Sequence, residues 1–434
     1  MNTMDDVRCK MELLLDTRAP ITRSVSMLRT VGELMGLDKR VIAELICPQE
    51  VVVFRVPTKT LGKVMIHWGC MCLHNNARGP YKGGIRISDG VTVWDTIELA
   101  RLMTLKTAVV DIELGGGKTG IRVDMPRMYD VFGRTPRDRE FERIIRLDTM
   151  ESFAQNFRDV FASHKYIPAP DVNTGGEEMA VIFNQTMDPA SVTGKPRGVH
   201  GWLPGRKQAT GRGCFEISRI ACEEQLGKDL SDCTVAVQGF GNVGIWSALY
   251  LHDYGAKVVG VTDSRGGAYD EKGLDVPSLI EHKRTRGMVS GFSGEIDNRR
   301  LLELDTDIIV PAALGNAIDA DNAPRIRTKM LVEGANMPVT AEAMDVLKRR
   351  GVIVIPDIIA NAGGVIASME EYSRSLSAIK MAEETVFKVI EERISRSYLE
   401  ALDLTNQHEL TLPEAAIWMA SERVYDAMGK RSLI

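Results

Sequence analysis

The sequence predicts a two-domain α/β protein: a mixed α/β domain, then an open parallel-sheet domain, with C-terminal helices that return to the first. Three observations predict it. The chain has 434 residues, more than one hydrophobic core usually organises. Between positions 188 and 207, Pro189, Gly194, Pro196, Gly198, Gly201, Pro204 and Gly205 interrupt every periodicity, which places the boundary there and gives units at 1–195, 196–363 and 364–434. Beyond it, apolar runs at 233–237, 257–262, 307–310, 330–332 and 352–355 alternate with helical segments, the pattern of a parallel sheet covered on both faces.

Ahead of the boundary, β-rich runs at 51–56 and 63–72 precede an apolar helix over 93–110 and a long amphipathic helix over 138–162, a mixed α/β pattern. Pro168 and Pro170 exclude helix, and Thr174-Gly-Gly-Glu177 has the form of a capping box. Asp171 is therefore expected in a stiff loop just ahead of a helix capped by Thr174. From Gly364 onward the spacing is helical with nothing strand-like, so this tail is expected to pack back on the first domain.

Composition excludes several classes. With 54 basic against 59 acidic residues and a net charge of -5, there is no electrostatic basis for nucleic acid or an anionic membrane surface as partner. Cys9, Cys47, Cys70, Cys72, Cys214, Cys222 and Cys233 are odd in number and contain no CxxC pair. That argues against a disulfide framework or a metal site and agrees with a reducing cytoplasm. The opening Met-Asn-Thr-Met-Asp-Asp resembles neither a secretory signal nor a transit peptide. The longest apolar run, 308–318, is too short and too interrupted to span a bilayer.

Gly239-Phe-Gly241-Asn242-Val243-Gly244 directly follows an apolar strand and opens a helix, and Asp263 stands at the end of the next strand. A bare GxGxxG is often only a turn. In this context it is the fingerprint of a Rossmann-type dinucleotide site: Gly239 for the tight turn, Gly241 for approach of the pyrophosphate, Gly244 for helix–strand packing, and a helix N-terminus facing the anion. Asp263 would accept from a ribose 2′-OH, favouring NAD. Ser264 and Arg265 beside it suit a 2′-phosphate, so NADP stays open. Ala312, Ala313, Asn336 and Asn361 stand at the other strand ends, as nicotinamide neighbours or as ordinary turn residues.

The first domain carries three lysines in unusual settings. Lys106 lies on a helix whose stretch 99–110 holds only one other charge, Arg101, so it either snorkels to water or faces a buried anion. Gly83 and Gly84 follow Lys82, and Gly115 to Gly117 precede Lys118. Such glycines make either tight turns or backbone that a small ligand can approach closely. Asp171, in its proline-stiffened setting, is placed as a general base would be, a turn or cap role being the alternative.

Taken together these residues resemble one family, the glutamate, leucine, phenylalanine and valine dehydrogenases. The resemblance runs from about residue 75 to 368 and rests on Lys82-Gly-Gly-Ile-Arg86, Met103-Thr-Leu-Lys106, Gly115-Gly-Gly-Lys118, Pro168-Ala-Pro-Asp171, Ala209-Thr-Gly-Arg-Gly213, the fingerprint, Glu333-Gly-Ala-Asn336 and Asn361-Ala-Gly-Gly-Val365. It implies that Lys106 binds a substrate α-carboxylate and that Lys82, with Ser368, binds a side-chain carboxylate, Gly83 and Val365 completing the pocket. It implies a catalytic Lys118, proton transfer by Asp171, and cofactor contacts from Thr210, Asn242, Val243, Ser264, Asn336 and Asn361. The implied reaction is reversible NAD- or NADP-dependent deamination of an amino acid, in a homohexamer whose domains close over the cleft.

Lys82 points within the family to glutamate, with 2-oxoglutarate and ammonium as products, because a buried ammonium would be unpaired against leucine. Thr119 cuts the other way: glutamate enzymes commonly read Gly-Gly-Gly-Lys-Gly-Gly, and Thr119 resembles the leucine type. The alternatives are a branched-chain or aromatic amino-acid dehydrogenase and, from another class, a non-catalytic regulatory subunit.

Overall fold

The computed structural model describes residues 22–377 and 379–434; Cys9 and the acidic start of the chain lie outside them. The first sheet contains β1 (Glu50–Thr60), β2 (Lys63–Asn75), β3 (Tyr81–Ser88), β4 (Gly115–Arg122) and β5 (Tyr166–Pro170), in the order β1-β2-β4-β3-β5. β1 and β2 form a long antiparallel hairpin, whereas β3 runs parallel to both β4 and β5. Lys82 on β3 therefore stands between Gly116 of β4 and Ile167 of β5.

β3 and β4 were not expected as strands, since glycine runs weaken strand propensity. Close packing explains them. The helix Val93–Val109 lies directly on β4, and a Cβ added at Gly116 would meet Thr104 Oγ1 at 2.2 Å and Ala100 O at 2.4 Å. One added at Gly83 would meet Gly117 O at 1.7 Å. The glycines let a helix and neighbouring backbone approach the sheet. Asp171 lies in a turn ahead of the helix, as expected, but the stretch before it, Tyr166–Pro170, is the edge strand β5, where Pro168 and Pro170 are tolerated because only one side of the strand is paired.

Two further expectations are corrected. The long helix expected over 138–162 is two helices, Arg139–Asn156 and Arg158–Ala162. Phe157 leaves the helical region (φ -114°, ψ 19°), and its ring packs 4.8 Å from Phe54 and 5.1 Å from Phe153; aromatic packing outweighs helical continuity. The next helix starts at Gly176 with Gly175 as its N-cap, and Glu178 accepts from Gly175 N at 2.7 Å. Thr174 does not cap it. Its hydroxyl accepts from Asp171 N at 2.8 Å and donates to Ile85 O at 2.7 Å, fixing the Asp171 turn onto β3.

The second sheet has the order β12-β11-β10-β6-β7-β8-β9. The five expected runs are β6 (Thr234–Gln238), β7 (Lys257–Asp263), β10 (Ile308–Pro311), β11 (Met330–Val332) and β12 (Ile353–Ile355), all parallel and nearly all buried. β8 (Gly266–Tyr269) and β9 (Gly294–Glu295) add an antiparallel edge, too short to show in any periodicity. Strand order reverses around β6, between β7 and β10. In open α/β sheets ligands bind in the crevice outside the strand carboxyl ends at such a point.

The last helix, Leu412–Lys430, packs on Val93–Val109 and on Arg23–Leu34, whereas Glu383–His408 packs on Ala209–Ala221. Arg423 of the last helix donates to the carbonyls of Ala108 and Val109 at 3.0 and 2.7 Å, capping the end of the Lys106 helix. The tight seat of that helix gives a test. Gly116→Ala should lower stability by about 2 kcal/mol, or several degrees of melting temperature by calorimetry, since overpacking forces backbone shifts; an unchanged melting temperature would contradict the packing described.

Candidate active site

Lys82, Lys106 and Lys118 are only 1%, 7% and 6% exposed. Burial of one ammonium is uncommon and burial of three in one region calls for anionic partners. Lys118 has one within the protein: its ammonium contacts Asp171 Oδ2, and Arg86 Nε stands 3.4 Å from the same oxygen. Gly84 makes room for this pair, since an added Cβ would lie 2.7 Å from Asp171 Cβ and 3.2 Å from Lys118 Nζ. Burial alone would raise Asp171, but the Lys118 ammonium and then the Arg86 guanidinium hold it below its usual value. It is therefore a carboxylate at neutral pH, able to accept a proton from a group placed beside it.

Lys106 reaches across to the second sheet. Its Nζ donates to Asn336 Oδ1 at 2.9 Å, and Asn361 Nδ2 donates to the same oxygen at 3.2 Å. The Asn336 loop is itself anchored: Glu333 accepts from Arg23 at 2.6 and 3.0 Å and from Asp357 N at 2.9 Å, and the Asp357 carboxylate accepts from Met337 N at 3.0 Å. The helix Arg23–Leu34 thus holds the loop that meets Lys106. Burial lowers the pKa of Lys106, with Asp357 acting in the opposite direction.

Lys82 has no hydrogen-bond or ion-pair partner among the described residues. Burial drives its pKa well below the ordinary value, the Arg206 guanidinium adds to this, and Glu371 opposes it. Glu371 is already engaged by Gly194 N at 2.7 Å, Lys195 N at 3.1 Å and Lys195 Nζ at 3.1 Å. Ser368 and Val365 are buried on the same helix, Gly363–Ser377. Arg206, Glu371 and the Arg23–Glu333 pair were missed in the sequence. Arg206 sits in the glycine- and proline-rich stretch that reads only as a boundary; Glu371 falls one helical turn after Ser368, a spacing that was a usable signal.

The dinucleotide fingerprint forms the expected cradle. Gly239 has φ 94°, and an added Cβ there would meet Ala313 N at 2.7 Å. One at Gly244 would meet Gly239 O at 1.8 Å, whereas Gly241 has open space above it. Gly241 is the N-cap of the helix Asn242–Tyr254, so the N–H groups of Asn242 and Val243 face that space without intrahelical partners. Asn242 Nδ2 donates to Lys207 O at 2.9 Å, and Thr210 lies beside Gly364, whose added Cβ would be 2.6 Å from Thr210 Oγ1. Asp263 is not free: Arg265 N, Lys283 Nζ and Val289 N donate to its oxygens at 2.8, 3.0 and 3.1 Å.

A helix terminus with free N–H groups at the carboxyl ends of the second sheet, and buried ammonium groups with a carboxylate on the first, define a nucleotide-binding protein with a charged site on its other domain. The family described as Glutamate/Leucine/Phenylalanine/Valine dehydrogenase matches residues 201–432, and its dimerisation domain matches residues 48–188. The glutamate dehydrogenase of Thermotoga maritima is 39% identical over 420 residues, 94% of this chain and 97% of the relative. The NADP-specific glutamate dehydrogenase of Saccharolobus shibatae is 35% identical over 435 residues, 98% and 99% of the two chains. The crystal structure of hetero-hexameric glutamate dehydrogenase from Thermus thermophilus in its Leu-bound form is 30% identical, with a TM-score of 0.85 over 95% of this chain and 99% of that one. The chain belongs to the glutamate/leucine/phenylalanine/valine dehydrogenase family, as the motifs led one to expect.

The lowered pKa of Lys82 has a sign. The unfolded chain binds that proton more tightly than the folded one, so the ammonium opposes folding at neutral pH, and the penalty fades as pH rises toward the ordinary lysine value. Lys82→Met should therefore stabilise the ligand-free protein at pH 7 by about 1–2 kcal/mol, with a smaller gain at pH 10. Melting temperatures at the two pH values check this; a variant less stable than the parent at pH 7 would contradict it.

Proposed function

We propose that the protein catalyses the reversible NAD- or NADP-dependent deamination of L-glutamate to 2-oxoglutarate and ammonium. One observation carries the choice of substrate: Lys82 is a buried lysine to which no anion among the described residues is bonded. A side-chain carboxylate would complete that site, whereas leucine or phenylalanine would leave the charge unmatched in an apolar contact. Arg206 nearby, also lowered by burial, strengthens the preference for an anion, and Ser368 and Val365 line the same region with Gly83. Thr119 pairs with Ile85 of β3, three positions along the strand from Lys82, so it is not a strand neighbour of the lysine that carries the substrate choice.

In this reading Lys106 binds the α-carboxylate and Asn336 orients its ammonium toward the second domain. Asp171, ionised and held by the Thr174 hydroxyl, accepts a proton from the substrate ammonium and later returns one to the departing nitrogen. Lys118 donates hydrogen bonds to the attacking water and to the oxygen that forms at Cα. The nucleotide, when bound along Gly239, Gly241, Asn242, Val243 and Gly244 with Thr210, Asp263, Ser264, Asn336 and Asn361 around it, supplies the hydride acceptor. Arg86 keeps Asp171 in its charged form.

The assembly proposed is a homohexamer. Supporting it are the matched dimerisation domain and the apolar outer face of the β1–β2 hairpin, where Val51, Val53, Val64 and Ile66 are 39%, 39%, 70% and 50% exposed. The six free cysteines among the described residues agree with a reducing compartment such as the cytoplasm, and no helix there is long and apolar enough to cross a membrane.

Initial rates with glutamate, leucine, valine and phenylalanine, each with NAD and NADP, test the substrate assignment; a leucine preference would overturn it. Lys118→Ala and Asp171→Asn should each lower kcat by about a thousandfold or more while nucleotide binding, followed by fluorescence titration, survives. Lys82→Leu should raise the KM for glutamate and shift preference toward apolar amino acids. A purified single-subunit sample inactive with every amino acid would instead favour the regulatory-subunit reading.

A further inference from the structure

A cavity of about 100 Å³ lies against Lys118, and its walls come wholly from the first domain: Arg86 and Ser88 of β3, Gly90 of the following turn, Asp95 and Thr96 of the helix Val93–Val109, and Lys118 with its β4 neighbours. None of the residues bonded to Lys106 or flanking Lys82 lines it. Gly90 and Asp95 are exposed and Thr96 and Lys118 are buried, so the lining runs from surface residues to Lys118 and includes none from the second sheet. A water molecule takes roughly 30 Å³, so there is room for about three molecules of that size. A pocket for a larger ligand needs ~300 Å³ or more. In its wall, Arg86 and Lys118 both stand against Asp171 Oδ2, so the cavity adjoins this charged group.

We infer that this cavity is the passage by which ammonia and water reach and leave Lys118 and Asp171 while the amino acid and the nucleotide fill the interdomain cleft. The inference rests on the deamination reading, since that reaction alone makes ammonia and water co-reactants. Charge along the passage fits the traffic. Asp95 at the mouth, which accepts one hydrogen bond from Thr92 Oγ1 at 2.8 Å, attracts ammonium from solvent. Arg86 and Lys118 further in repel a cation, so nitrogen continues inward as ammonia and its proton stays with water at the mouth. In the deaminating direction the same path releases ammonia before the larger product leaves.

The test is the KM for ammonium in reductive amination, with 2-oxoglutarate and reduced nucleotide saturating. Gly90→Phe places a ring at the mouth, and the fold accommodates it, because an added Cβ at Gly90 meets nothing nearer than Ser88 Oγ at 4.0 Å. Asp95→Asn removes the charge and keeps the shape. Each should raise the KM for ammonium by about fivefold or more, with the KM for 2-oxoglutarate and for the nucleotide within about twofold of the parent. An unchanged KM for ammonium in Asp95→Asn and in folded Gly90→Phe overturns the passage, as does an equal rise in the KM for 2-oxoglutarate. If the parent protein aminates no 2-oxo acid, the function proposed above fails, and the passage with it.

Discussion

Burying three ammonium groups beside one another is the constraint around which the first domain is arranged. An unpaired buried cation costs several kcal/mol, a large fraction of the 5–15 kcal/mol that typically separates folded from unfolded chains. The three lysines meet this demand to different degrees. Lys118 has Asp171, Lys106 has the neutral oxygen of Asn336, and Lys82 has no bonded partner among the described residues. The unmet demand therefore rises toward Lys82. In the function proposed above, a substrate with a carboxylate at each end would meet it, its affinity drawing on the charge the fold leaves unsatisfied.

Glycine at β3 and β4 makes that arrangement geometrically feasible. Gly83, Gly84 and Gly116 remove side chains at the three places where backbone, helix and the Lys118–Asp171 pair converge, so the lysines project from rigid elements rather than loops. Rigidity continues into the other half of the molecule through Arg23. Its bidentate bond to Glu333, with side chains 7% and 0% exposed, fixes the loop that presents Asn336 to Lys106. One lysine therefore faces both domains through a contact anchored by the helix Arg23–Leu34, while Lys118 and Asp171 belong to the first domain alone.

These features were unequally legible in the sequence. The five parallel strands of the second sheet could be read because each is an uninterrupted apolar run buried on both faces, and the fingerprint because its glycines have separate backbone tasks. The motif lysines and Asp171 were equally visible. Strands β3 and β4 were not, because a strand that accepts close backbone contact on both faces loses the side chains by which strands are recognised. Thr174 misled for a related reason: its hydroxyl can serve the helix or the preceding turn, and the choice depends on Ile85 O, 89 positions away in sequence. Arg206 and the Arg23–Glu333 pair act only through tertiary proximity, which no local pattern encodes.

The cofactor corner shows how a motif can be right in place and altered in use. Asp263 stands where a ribose-binding acid belongs, yet its oxygens are taken by Lys283, Arg265 N and Val289 N. A carboxylate bonded in this way is a weaker acceptor for a 2′-OH than a free one, because its lone pairs are already directed at other donors. It also repels a 2′-phosphate less, because Lys283 offsets its charge at 3.0 Å. Charge at this corner is thus partly offset, and in the function proposed above the choice between NAD and NADP would pass to how Ser264 and the exposed Arg265 meet the ribose.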